Sequence, residues 1–360
     1  MYMGGKMHME NLIRFAVTLL IAVACGLLGK KLRLPAGLLV GSMVGVATFH
    51  TLTGQGLFFP TVRTALQVFS GALVGARIGR AELRGMRMLL PSVVILLLSM
   101  VLLNLTFALL ITLCSDLSPA TALFATAPGG VNDMSIIASD FGADAGVVAI
   151  LQVFRLILIY LFIPPTIRWL DSRDAKKHPA AKLSAAALQS PVQNNPNELL
   201  AMLLCAAAIG LLLHALGVSA GAMIGAIIGS AAYCILRGKQ KYPAALKTAL
   251  QLCSGAYIGC RIDHATILGF GDLLLPLLIM LLGILAFTFM TSSLMCRLSR
   301  LSRSTAMLAS TPGGIQEMSL LSEELGADTP SVAVLHTTRI VFVILCFPYL
   351  IQLLLRLIPA

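Results

Sequence analysis

The chain has 360 residues, of which 58% are apolar and 11% charged, with a formal net charge of +11. Soluble domains are roughly a quarter charged, so this chain cannot clothe a water-facing surface, and its mean hydropathy of +0.92 leaves much of that surface to lipid. The positive balance does not point to nucleic acid, because most lysines and arginines gather in short clusters between apolar runs, the pattern that orients membrane proteins.

Six elements are predicted in the first half, in chain order. Asn11–Leu28 is an apolar run with a weak basic lead and no clear cleavage site, read as a retained first span. Ala36–Leu52 carries Gly37, Gly41 and Gly45 at helix-packing spacing. Val62–Ile78 contains Gln67-x-x-Ser70-Gly71-x-x-x-Gly75, a small-residue face combined with polar groups. Its glycines read as packing, and Gln67 as a candidate contact with solute or backbone. Met88–Leu113 is long and apolar, Ser118–Phe141 is broken by Pro-Gly-Gly, and Asp144–Leu170 closes the unit. Asp171–Asn197 is polar, as a solvated linker is.

Shifted by 184, the sequence then falls on itself without a gap. Gln67, Ser70, Gly71 and Gly75 land on Gln251, Ser254, Gly255 and Gly259. Pro128-Gly129-Gly130-Val131-Asn132-Asp133-Met134-Ser135 lands on Pro312-Gly313-Gly314-Ile315-Gln316-Glu317-Met318-Ser319, and Arg155 lands on Arg339. The organisation read from this is a first membrane repeat over 11–170, a cytoplasmic linker over 171–197 and a second membrane repeat over 198–356.

Charge decides how the copies face. If the broken piece dips into the membrane and returns, each unit crosses five times and the second copy is upside down. With Lys30/Lys31/Arg33, Arg77/Arg80/Arg84/Arg87 and Arg168/Arg173/Lys176/Lys177/Lys182 inside, the second copy must carry its charge in the opposite loops. It does, at Arg237/Lys239/Lys241/Lys247 and Arg297/Arg300/Arg303, so that 19 of 26 basic residues lie inside. The expected fold is an all-α membrane protein of two inverted-topology repeats, each with about five crossings and one re-entrant or broken helix.

The two breaks are the candidate site. Proline removes a donor and glycine permits positive φ, so Pro128-Gly129-Gly130 and Pro312-Gly313-Gly314 interrupt helices. Irregular backbone survives at membrane depth only within protein or against a water-filled cavity. Free amides at a half-helix N-terminus suit a carboxylate, phosphate or carbonyl, and Asn132, Asp133 and Ser135 follow one break as Gln316, Glu317 and Ser319 follow the other. The plainer alternative is a surface loop with a helix cap. Asp133 and Glu317 are candidates to carry a proton or a cation, to cap their own half-helices, or to pair with Arg155 and Arg339. Gln152 and His336 lie one turn before those arginines, and His336 reads either as a hydrogen-bonded core residue or as a proton relay.

On the duplicated unit and the two Pro-Gly-Gly segments, the chain resembles the AbrB family of bacterial membrane proteins over nearly its full length. The resemblance implies an inner-membrane, multi-pass location and an influence on gene expression; some members carry an ammonia monooxygenase label. It supplies no substrate and no catalytic residues, and has nothing in common with the small soluble DNA-binding regulator of the same name.

The function expected from the residues is ion-coupled secondary transport of a small polar or anionic solute, without enzymatic activity. No Gly-x-x-x-x-Gly-Lys-Ser/Thr loop is present, so the energy source is an ion gradient rather than ATP bound by this chain. The alternatives are a ligand-sensing regulator of gene expression and, least favoured, a monooxygenase, since the six histidines are scattered without ligand spacing. No cofactor is expected, and the eight cysteines form no Cys-x-x-Cys pair. The expected partners are a small-molecule or ion solute and the lipid bilayer, with no nucleic acid; a homo-oligomer is left open.

Overall fold

The computed structural model describes the chain except residues 1, 33, 35, 175–191, 219, 263–268, 300, 314–317, 319–320, 323–324, 326 and 358–360. The first copy folds as α1 (Tyr2–Lys31), α2 (Gly37–Thr53), α3 (Pro60–Gly75), α4 (Arg80–Met88), α5 (Leu90–Cys114), α6 (Pro119–Thr126), α7 (Val131–Ala138) and α8 (Ala145–Asp174). The second follows as α9 (Pro196–Ala215), α10 (Gly221–Arg237), α11 (Ala244–Gly259), α12 (Leu274–Ser299), α13 (Arg303–Ser310), α14 (Thr329–Leu345) and α15 (Phe347–Leu357). A two-residue strand before α9, β1 (Val192–Gln193), pairs in parallel with β2 (Lys239–Gln240).

Among the described residues, five helical stretches are long and apolar enough to cross a membrane: Met9–Lys31, Leu90–Cys114, Ala145–Ile167, Pro196–Ala215 and Gly271–Ser299. The pair α14 and α15, bent by 42°, makes a sixth. The other four expected crossings are α2, α3, α10 and α11, which have 16 or 17 residues each. At ~1.5 Å per residue these reach about 25 Å, short of a hydrocarbon layer of about 30 Å. They pack on one another, α3 against α10 and α2 against α11. Outward-facing leucines remain bare on the long helices, among them Leu20 (70% exposed), Leu98 (66%) and Leu204 (61%). Water would penalise that surface, whereas lipid accepts it. Missed in the sequence was α4, a short helix rich in arginine between α3 and α5, too brief and too polar to read as a span.

The contacts mirror each other across the repeat. A β-carbon on Gly71 of α3 would strike the carbonyl oxygen of Met223 on α10, and one on Gly255 of α11 would stand 2.5 Å from that of Leu39 on α2. Leu39 and Met223 are themselves 184 residues apart. Only glycine lets these helices approach so closely.

The two copies run in opposite directions. The N-terminal end of α3 meets the C-terminal end of α11, with Phe58 and Arg63 both against the ring of Tyr257. The start of α11 meets the later part of α3, where Tyr242 Oη donates to Phe69 O at 3.0 Å. Helices α3 and α11 are one element in two copies, so their antiparallel contact means the copies are inverted. The charged loops agree: Lys239 pairs with Glu82 at 2.5 Å, and Arg80 donates to Ile235 O at 2.6 Å. The basic clusters at 77–87 and 237–247 therefore share one end of the molecule, while Arg63 and Arg261 flank Tyr257 at the other.

Candidate functional site

The broken segment is a hairpin rather than a crossing. Its two mouths touch, because Asp144 N donates to Thr121 Oγ1 at 3.1 Å. The second copy repeats the bond from Asp328 N to Thr305 Oγ1 at 2.9 Å. Ser118 and Ser302 cap the ingoing half-helices α6 and α13, and Asp144 Oδ1 accepts from Gly146 N and Val147 N to start α8. Since the copies are inverted, the two hairpins enter from opposite faces.

Their tips are held by the buried arginines. Arg155 Nη1 donates to Ala127 O at 2.6 Å, and its Nη2 donates to Gly129 O at 2.5 Å. Arg339 makes the matching bonds to Thr311 O at 2.6 Å and Gly313 O at 2.8 Å. Each arginine is the eleventh residue of its helix, about 15 Å from the helix start, which places both tips near mid-membrane. Gln152 Nε2 adds bonds to Phe124 O (2.9 Å) and Ala127 O (2.9 Å), so it closes the C-terminal carbonyls of α6.

His336, the twin of Gln152, binds Leu308 O through Nε2 at 2.8 Å, while its Nδ1 accepts from Arg339 at 3.3 Å. A ring that accepts at Nδ1 and donates at Nε2 is the neutral tautomer, with both nitrogens bonded inside the core. Pairing of Arg155 with Asp133 does not occur. The arginines serve backbone carbonyls instead, and among the described residues neither has a carboxylate within salt-bridge distance.

The glycines of the break serve a different purpose from the one expected. Neither Gly129, Gly130 nor Gly313 has positive φ, and Gly130 sits in extended backbone at φ −76, ψ 141. Close approach explains them: a β-carbon on Gly129 would lie 2.5 Å from the side chain of Met134, and one on Gly130 would lie 2.9 Å from the Asp133 carboxylate. Met318 fills the same space beneath Gly313.

Two polar regions flank the first tip. On one side, Arg63, Gln67 and Ser70 lie at i, i+4 and i+7 along one face of α3 and meet α7. Ser70 Oγ donates to Asp133 Oδ1 at 2.5 Å, Asn132 Nδ2 donates to Ser70 Oγ at 3.3 Å, and Gln67 Nε2 donates to Asp140 Oδ2 at 2.8 Å. Arg63 pairs with Asp140 as well. Asp133 is 9% exposed, and Ser135 is buried with no partner for its hydroxyl. Helix α7 has no side-chain cap.

On the other side lies a narrow cleft of about 40 Å³ between the two tips, with Pro128 and Pro312 both in its wall. Helices α5 and α12 complete it with Asn104, Phe107, Met280 and Phe287, and Arg155 of α8 also lines it. Sequence reasoning passed over Asn104 and Phe107. A signal for Asn104 existed: it is the one amide in the apolar run of α5, and its twin Thr288 is also polar and buried.

Of the predicted site residues, Pro128, Pro312 and Arg155 gather at the cleft, and Gln67, Asn132 and Asp133 form the α3–α7 face. Gln251 does neither: it is exposed and makes no hydrogen bond among the described residues. Gly314, Gln316, Glu317 and Ser319 lie outside the described residues, as does Glu324, the twin of Asp140.

The fold and the paired tips define an inverted-repeat membrane protein with two re-entrant hairpins. A family model described as "Transition state regulatory protein AbrB" matches twice, over residues 3–171 and 173–355, and the chain belongs to this AbrB family. It is 23% identical over 361 residues to "Uncharacterized protein YhjN" of Bacillus subtilis (strain 168), covering 96% of this chain and 94% of that protein. It is 26% identical over 324 residues to "Putative regulator AbrB" of Escherichia coli (strain K12), covering 88% and 89%.

Proposed function

We propose that this protein is a secondary transporter that moves a small polar or anionic solute across the bacterial inner membrane. The observation that carries the reading is the meeting of two hairpin tips, entering from opposite faces, at one cleft near mid-membrane. Interrupted helices at the junction of inverted repeats place binding groups where either face can be opened by moving one unit against the other. Two buried guanidiniums without a carboxylate partner among the described residues favour an anion. Asp133, held by Ser70 and Asn132 beside the tip, is positioned to bind a proton or a cation that drives the cycle.

The test is solute and ion flux in proteoliposomes. Asp133→Asn is expected to abolish gradient-driven accumulation while leaving solute exchange. Absence of any flux that depends on Asp133 or Glu317 refutes the transporter reading. The name of the Escherichia coli relative favours a second reading, a membrane regulator of gene expression. A solute carrier alters expression indirectly through the concentration of what it moves, so the two readings separate only when transport and signalling are measured in the same variant.

A further inference from the structure

The end of the molecule where the basic clusters of both copies meet is short of compensating charge. Residues 77–88 and 235–247 together hold eight lysines and arginines and one acid, Glu82. Glu82 is spent within the protein: its Oε2 accepts from Gly79 N at 2.9 Å at the start of α4, and its Oε1 pairs with Lys239 at 2.5 Å. Arg80 is occupied as well, since its Nε donates to Ile235 O at 2.6 Å and its Nη2 to Leu236 O at 3.4 Å, closing the last carbonyls of α10. These bonds fix α4 of the first copy against the end of α10 in the second. Arg84, Arg87, Arg237 and Lys241 are exposed, and among the described residues no carboxylate lies within salt-bridge distance of them.

Helix α4 has two distinct faces. Glu82, Gly85, Met86 and Leu89 follow one another at i, i+3, i+4 and i+7 and turn inward, Met86 packing against the core. Arg80, Arg84 and Arg87, at i, i+4 and i+7, form the outward stripe. Apolar side chains stand bare on either side of it: Leu83, Met88 (52% exposed) and, across on α10, Leu236 (71%). A soluble anion would satisfy the arginines and leave these side chains in water. A phospholipid meets both needs, with its phosphate at the level of the arginines and its chains over the apolar groups. A headgroup with net negative charge is drawn most strongly. The twin of α4 in sequence, residues 264–272, holds no lysine or arginine. Orientation in the membrane requires a difference in charge between the two ends, but not an arginine stripe with apolar flanks on a folded helix.

We infer that α4 and the turn between α10 and α11 form a binding site for an anionic phospholipid, such as phosphatidylglycerol, in the leaflet at this end of the molecule. The headgroup phosphate sits against Arg84 and Arg87, Arg237 and Lys241 supply the surrounding positive field, and the acyl chains cover Leu83, Met88 and Leu236. A lipid held there bridges the two copies, because α4 belongs to the first and α10 to the second.

Quenching of tryptophan fluorescence by brominated lipids tests the assignment in the full-length chain, reconstituted in phosphatidylcholine bilayers with Trp169→Phe as background. Leu83→Trp puts the reporter beside the stripe, and Leu98→Trp, on the lipid-facing side of α5, is the control. Brominated phosphatidylglycerol is expected to compete for the site at Leu83 at least about fivefold better than brominated phosphatidylcholine, the effect of one basic residue beside an anionic surface. At Leu98 the two lipids are expected to quench alike. Arg84→Gln combined with Arg87→Gln is expected to remove the preference, and Arg84→Lys combined with Arg87→Lys, which keeps the charge, to retain it. Where the glutamine pair does not fold, salt decides: raising ionic strength from about 0.1 M to about 1 M shortens the Debye length from about 10 Å to about 3 Å and is expected to weaken the preference at Leu83. Equal quenching by both lipids at Leu83, a preference that survives the glutamine pair, or one that salt does not move overturns the inference. Displacement of phosphatidylglycerol by millimolar inorganic phosphate also overturns it, since the site would then be one for a soluble anion.

Discussion

Replacing Arg155 by lysine tests how the hairpin tips are held. The guanidinium fork reaches two carbonyls at once, Ala127 O at 2.6 Å and Gly129 O at 2.5 Å, from a residue that is 2% exposed. A lysine ammonium is a point charge on a flexible stem and cannot reproduce the planar fork. It keeps the positive charge, so the desolvation of a buried cation is nearly unchanged, and what is lost is one of the two charge-assisted bonds. Such a bond contributes about 1.5–3 kcal/mol, and that is the expected loss of stability. Arg339→Lys is expected to lose the same amount, because its bonds to Thr311 O and Gly313 O are 2.6 and 2.8 Å. The assay is loss of helicity on titration with a denaturing detergent, compared with the lipid-facing control Leu98→Ala. Alkylation of a cysteine placed at Thr126 reports whether the tip has loosened. If Arg155→Lys is as stable as the parent and Thr126→Cys reacts no faster in that background, the arginine does not hold the tip and the account of the site is wrong.

Other outcomes follow from the architecture. Cysteines placed at Lys31 and Val218 are expected to react with impermeant reagents from opposite faces of the membrane; labelling from one face refutes the inversion. Lys239→Met removes the ammonium from Glu82, which is 9% exposed, and is expected to cost about 1–3 kcal/mol in the same detergent titration. An unchanged midpoint means that this contact between the copies contributes nothing. Excising residues 176–190, within the polar linker between the copies, is expected to leave transport intact, and loss of flux together with retained folding refutes that.

The sequence alone carried the membrane class, the duplication and the inversion. The 184-residue shift brought Gly71 onto Gly255 and Arg155 onto Arg339, and the swap of basic loops was visible without coordinates. The re-entrant nature of the broken segment followed from parity and charge, and the bond between Thr121 and Asp144 agrees with it. Several readings failed because they needed partners. Arg155 and Asp133 are 22 residues apart and look like a pair in the chain, yet α7 presents Asp133 to Ser70 on α3 while the arginine reaches the hairpin tip. Helix α4 was hidden because nine residues with three arginines resemble a charged loop as much as an interfacial helix.

Composition, period and charge are properties of the chain as a line, and they determine which segments enter lipid and which way each copy faces. They do so because hydrocarbon excludes unpaired backbone and charge wherever these occur in sequence. The cleft belongs to the folded molecule, because Asn104, Pro128, Arg155, Phe287 and Pro312 come from different helices and from the two hairpin tips, and become neighbours only when two inverted copies interlock. The meaning of the Pro-Gly-Gly glycines changed there too: the space taken by Met134 and Asp133, not the sign of φ, is what requires residues without a side chain.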